Sequence, residues 1–225
     1  MQCLEALADA LAPGVGVEPG AGEAAIAEDL VQLDRQLARE QVGRAIRLWT
    51  NRQCLVTTRR FSRMENFTLA ASASAARGWP VHVRASGGTT VAHRPGMLNV
   101  SRYETGLAGS IDIAHHFEEF SLWLARTLRS IGVPAATGAI DGSHCNGRFN
   151  IVVQGRKVAG TACLLRQRHG WAGILAHATI WLDGEIDTDI AAICDFERTL
   201  GLVADYRGEA HMSISDWWND RVQRR

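Results

Sequence analysis

Apolar positions along the chain change their period several times, and each change marks an element. Ile26, Leu30, Leu33 and Leu37 recur three or four residues apart, a single stripe of an amphipathic helix that has to bury against a sheet. Strands are predicted over 45–49 and 54–59, then a helix over 66–76 that Gly78 and Pro80 close, then a strand over 80–85. Another strand is predicted over 97–103. Phe117, Phe120, Leu124, Leu128 and Ile131 mark a long helix with Gly132 and Pro134 as its stop signals. Strands over 149–153, 157–165 and 172–182 follow, the first two joined in a tight hairpin through Gln154-Gly155-Arg156. A helix over 187–200 and a polar tail with Trp217 and Trp218 complete the pattern; the two tryptophans either pack on the domain or meet a partner. The fold class expected is α+β, with helices covering a mixed, largely antiparallel sheet.

Composition narrows the function classes. With 225 residues and 46% hydrophobic content the chain can bury a sizeable core. Lys plus Arg equals Asp plus Glu at 24 each, so no global field draws it to nucleic acid or to an anionic membrane. Any charged ligand must be held locally. No window reaches the roughly 18 apolar residues of a membrane span, and the first 22 residues lack the basic flank of a secretory signal. The five cysteines, Cys3, Cys54, Cys145, Cys163 and Cys194, are scattered and contain no CxxC pair, which argues against a disulfide framework and a zinc site and fits a reducing cytoplasm. The Gly- and Pro-rich stretch 13–22 reads as a linker, so residues 1–22 are expected to be an appendage and 23–225 the domain proper.

Three segments carry candidate chemistry. In Arg84-Ala-Ser86-Gly87-Gly88-Thr89-Thr-Val-Ala-His93 the glycines either relieve a plain turn or let backbone N–H groups approach a phosphate or carboxylate, with Arg84 adding charge. Gly147-Arg-Phe-Asn150 leads through the hairpin to Gly155-Arg-Lys157-Val-Ala-Gly160-Thr161-Ala162. Lys157 is either a solvated charge at a hairpin tip or an ammonium beside a reacting carbonyl, the small residues around its stem favouring close packing. His177 lies in an otherwise apolar strand, where a satisfied core histidine is the ordinary outcome.

In their order, these segments resemble the lipoate-protein ligase A and biotin ligase family, whose patterns include an RRxSGGGxVxH loop, a GRxDxxxxGRKxxGsA hairpin and an HG strand. The resemblance spans roughly 23–215. It implies a class II aminoacyl-tRNA synthetase/biotin ligase-like catalytic domain. It also implies activation of lipoate or octanoate by ATP with Mg2+, and transfer of the acyl group to a lysine of a lipoyl carrier domain. By the same resemblance Lys157 contacts the acyl carbonyl and phosphate. Arg84, Ser86, Gly87, Gly88, His93, Asn99, Asn150, Gly160, Thr161, Ala162 and His177 would line the acyl-adenylate site.

The match departs in places. Thr89 replaces the third glycine, Asn150 stands where ligases commonly carry Asp, Cys163 replaces a frequent glutamine, and no accessory domain follows, so a separate protein is expected to supply one. These departures bring in a second class, octanoyltransferases that use a cysteine thiolate and an acyl-carrier donor. Cys145 and Cys194 are then the candidate nucleophiles, with His144 and Lys157 as neighbours able to favour a thiolate at Cys145. A non-catalytic acyl or carrier binder and a biotin ligase are the remaining readings.

Overall fold

A computed structural model describes residues 2–223; Met1, Arg224, Arg225 and the side chains of residues 2–3 and 220–223 lie outside the described set. The first half of the chain runs α1 (Gln2–Leu11), β1 (Val17–Glu18), α2 (Glu23–Leu37), β2 (Gly43–Trp49), β3 (Cys54–Thr58), α3 (Phe67–Ala76), β4 (Val81–Arg84), β5 (Val91–His93) and β6 (Met97–Leu107). The second half runs α4 (Ile113–Ser130), β7 (Ala135–Thr137), β8 (Ile151–Val153), β9 (Arg156–Arg168), β10 (Trp171–Trp181), α5 (Ile186–Thr199) and α6 (Ile214–Gln223). This is the expected α+β class with a largely antiparallel sheet.

Seven strands form the main sheet in the order β1-β2-β6-β10-β9-β8-β7, antiparallel throughout except for the β1–β2 edge. A smaller sheet has the order β4-β3-β5. The α2 stripe packs as its period requires, with Leu33 and Leu37 against Tyr103 and Leu175. Gly173 of β10 makes that approach possible, since a Cβ there would meet Leu33 and Leu37 at 2.9 Å. On the opposite face Phe120, Leu124 and Leu128 of α4 join the main core with Val100, Ala176 and Ile180. A second core, with Leu55, Ala70, Trp181 and Phe196, lies between α3, α5 and the small sheet.

Two features differ from the periodicity. The first 22 residues are no detached appendage: Leu7 and Leu11 are buried in the main core, and β1 adds a parallel edge strand to β2. Gly and Pro there shape a turn between packed elements. The polar tail forms α6, with Trp217 buried and Trp218 half exposed, their rings edge to face at 5.3 Å. Among the described residues no helix is long and apolar enough to cross a membrane.

Candidate functional site

The register of the central strands assembles the site. In the β6–β10 pair Asn99 faces Thr179 and Ser101 faces His177, and in the β9–β10 pair Gly160 faces Thr179 and Ala162 faces His177. These small and polar residues leave a floor over which the glycine loop between β4 and β5 folds. The loop is held from within. Arg84 Nη2 donates to the carbonyls of Gly87 and Thr89 at 3.0 and 2.9 Å, so part of the guanidinium expected to meet a ligand braces its own loop instead. Its Nε is buried with no hydrogen-bond partner, and burial lowers the pKa of the guanidinium from its ordinary value, with Cys145 acting the other way. Ser86 Oγ lies 2.7 Å from His177 Nε2. Burial first, and Arg84 second, pull His177 down to about 3, so it is a neutral ring that fixes the loop to β10.

His93 and Asn99 form a second polar chain. Asn51 Nδ2 lies 3.3 Å from His93 Nδ1, which therefore accepts, leaving Nε2–H to donate to Thr179 Oγ1 at 3.2 Å. Thr179 donates in turn to Asn99 Oδ1 at 2.7 Å. Burial first, and the Arg84 guanidinium next, hold His93 down at about 3. Asn99 Nδ2 is buried without a partner.

Lys157 is not a solvated hairpin tip. It is fully buried, and its Nζ donates to the carbonyl of His144 at 2.6 Å and reaches that of Cys145 at 3.5 Å. Burial above all pulls its amine down to about 8, Arg84 adding to this and Cys145 opposing it. A β-bulge explains the burial. Ile151 pairs with Ala159 but Val152 with Lys157, so Val158 is the extra residue and both Lys157 and Val158 turn inward. The turn before it has Gln154 at φ 50° and Gly155 at φ 73°, the two left-handed residues of a type I′ hairpin.

The loop that Lys157 supports presents Cys145. This residue holds φ at 47°, a left-handed backbone uncommon outside glycine, and Asn150 Nδ2 donates to its carbonyl at 2.9 Å. Asn150 Oδ1 accepts from Thr161 N at 3.4 Å, and Thr161 Oγ1 donates to Phe149 O at 2.9 Å. Gly88 approaches from the other side: a Cβ there would come within 3.2 Å of Cys145 Sγ, and its own φ is 99°. Lys157 thus meets the glycine loop through Cys145, which stands between them. Gly87 is exposed with open space around it. Cys194 lies elsewhere, buried in the second core with Sγ toward Tyr206 O at 3.9 Å.

His144 does not serve Cys145 as expected. Its Nδ1 and backbone N–H both point at His211 Nε2, at 3.0 and 3.3 Å, while His211 Nδ1 donates to Arg207 O at 2.8 Å. The rings stack at 5.1 Å. Burial drives His144 well below and His211 to about 4, so both are neutral props under the Cys145 loop. Nothing in the local sequence around His211 pairs it with a residue so distant along the chain.

Two adjoining spaces open here. A slot of about 20 Å³ is lined by Cys145, Thr161, His177 and Arg84 among others. A larger cavity of about 120 Å³ shares Arg84 and His177 with it and continues between Ile26, Leu30, Trp49 and Leu175. Apolar walls leading to a thiol and the Arg84 guanidinium suit an acyl chain with its carbonyl at the sulfur. Among the described residues no group of three or more His, Cys, Asp or Glu could hold a metal ion.

Known proteins resemble this chain in sequence and in fold. The chain is 33% identical over 197 residues to an octanoyl-[GcvH]:protein N-octanoyltransferase of Kyrpidia tusciae, a match covering 75% of this chain and 64% of that protein. It is 30% identical over 139 residues to the protein of the same name from Anoxybacillus flavithermus, covering 62% and 48% respectively. The chain therefore spans less than two thirds of the length of these relatives. A lipoate-protein ligase A solved with ATP superposes at a TM-score of 0.60 and 18% identity, over 93% of this chain and 81% of that one, a likeness of fold. Residues 24–200 match the family described as the lipoyl protein ligase A/B catalytic domain. The chain belongs to that family.

Proposed function

We propose that this protein is an acyltransferase that moves an octanoyl- or lipoyl-type chain from one carrier protein to a lysine of another through a thioester on Cys145. The observation that carries the reading is the placement of Cys145: left-handed, facing the slot, pressed against Gly88 and underpinned by Lys157 and Asn150. The names of the two octanoyltransferase relatives support the same reaction class.

In the first step the Cys145 sulfur attacks the donor's acyl carbonyl, and the donor leaves as its free thiol or amine, taking the proton that the thiol gave up. In the second, the acceptor's neutral lysine amine attacks the thioester; an amide forms, and the sulfur leaves and is reprotonated. The buried Lys157 ammonium and the Arg84 guanidinium place positive charge where negative charge develops on sulfur and acyl oxygen. The apolar cavity holds the chain and keeps water from the thioester.

The ligase expectation, with ATP and Mg2+, fits the residues less well. Magnesium selects carboxylate oxygens, but no carboxylate lines the slot; of the two in the adjoining cavity, Glu23 and Asp29, Asp29 is taken up by Arg47, Ser101 and Tyr103, and Asn150 has both amide atoms committed to the backbone. Incubation with an apo carrier domain and either an octanoylated carrier or octanoate with MgATP separates the two. Transfer from the carrier alone, abolished in Cys145→Ala with an octanoyl-enzyme mass adduct lost, is expected; modification that needs MgATP and survives Cys145→Ala overturns the reading.

A further inference from the structure

The arginines that follow β3 take no part in the chemistry above. After Thr58 the chain turns through Arg59, Arg60 and a short 3-10 turn over Phe61–Arg63. Phe61 is buried in the second core, and Ser62 Oγ donates to Arg59 O at 3.1 Å, so the turn is firmly mounted. Arg59, Arg60 and Arg63 are all exposed, and among the described residues none is paired with a carboxylate. Of the other exposed arginines, Arg35, Arg44, Arg77 and Arg198 each meet an Asp or Glu, whereas those left without a carboxylate among the described residues, such as Arg39, Arg52, Arg126 and Arg168, are scattered along the chain and not gathered in one turn. Arg60 rests over the Phe61 ring at 5.5 Å, which leaves its charge in solvent. The exposed Glu65 is the nearest acid along the chain.

The turn also has a place relative to the site. Thr58 is in parallel register with Arg84, and Arg59 lines the apolar cavity together with Arg84, Ser86 and His177. One unneutralised cation, Arg59, thus lines the acyl cavity, and two more, Arg60 and Arg63, follow it in the same exposed turn, in a molecule with no net charge. We infer that this turn is the docking surface for a carrier domain whose acyl-bearing face is acidic; the inference rests on the transferase reading. Rim charges of this kind act on encounter and salt dependence more than on the chemical step.

The test uses Arg60→Glu combined with Arg63→Glu, which leaves the cavity wall untouched. Binding of an octanoylated lipoyl-type carrier domain is followed by fluorescence anisotropy. Turnover is compared between that carrier and the octanoyl thioester of N-acetylcysteamine. The expected result is weaker carrier binding and a KM raised on the order of tenfold, with the wild-type salt sensitivity flattened and turnover of the small thioester unchanged. Unchanged carrier binding, or an equal loss on the small thioester, overturns the inference. If the wild type binds the carrier and the variant does not, yet neither acyl donor acylates Cys145, docking stands and the transferase reading falls.

Discussion

Asn150 performs two tasks that an aspartate in its place could not perform together. Its Nδ2 donates to the carbonyl of Cys145 and its Oδ1 accepts from the N–H of Thr161, whereas a carboxylate offers acceptors alone. Asn150→Asp sets two oxygens against each other and frees the strained loop. The expected loss is about 1–3 kcal/mol in a denaturant melt, together with at least a tenfold slower burst of acyl-enzyme, of the order a misplaced nucleophile causes. Lys157 gives a second prediction at this scale. Its amine is held at about 8 against an ordinary 10.5, so between those values the unfolded chain binds more protons and stability rises with pH. Below the window both states carry the charge and the whole burial penalty is present; above it both are neutral and the penalty is gone. Lys157→Met removes the ionisable group. Its stability advantage over wild type should shrink by about 3 kcal/mol across the window, measured by urea unfolding at several pH values; a flat difference would mean that no charge is buried there.

At the scale of elements, one close contact sets how α2 lies on the sheet. Gly173 opposes Leu33 and Leu37, and α2 also carries Asp29, whose buried carboxylate receives Arg47, Ser101 and Tyr103 at 2.8–2.9 Å. Gly173→Val should push the helix outward and cost about 1–3 kcal/mol in thermal unfolding, the overpacking range; an unchanged melting temperature would show that the side chains simply give way. The helix itself was legible, because four leucine and isoleucine positions keep its period. So were the long strands over β6, β9 and β10 and the closing signals of α4. The burial of Lys157 was not, because the bulge at Val158 breaks the alternation from which a strand's inner face is read. The order of the three motifs groups Ser86, Gly88, Lys157 and His177 as candidates, and in the fold Ser86 meets His177 while Lys157 and Gly88 approach Cys145 from opposite sides. The turn of Cys145 into the left-handed region, and the pairing of His144 with His211, depend on loop geometry that no periodicity records.

For the whole molecule, the least legible feature was its N-terminus. Gly and Pro over 13–22 signal a break in regular structure, and that signal is the same whether the chain beyond it is a tether or a packed element. What decides is burial. Leu7 is fully buried and Leu11 nearly so, against the core that also holds Phe120 and Leu124 of α4, and β1 covers the β2 edge, pairing Val17 with Leu48 and Glu18 with Trp49. Arg47 of β2 reaches Glu18 at 2.7 Å as well as Asp29 at 2.9 Å, so the N-terminal segment shares the ion network that fixes α2 over the cleft. A tether would tolerate substitution; this segment should not. Leu7→Ala is expected to destabilise the protein by about 2–5 kcal/mol, the range for emptying a buried leucine site. Removing residues 2–22 would strip the β2 edge and expose α4, so that the remaining chain melts lower and binds a hydrophobic dye before it unfolds. A truncated protein with an unchanged melting temperature would return the segment to the role of an appendage.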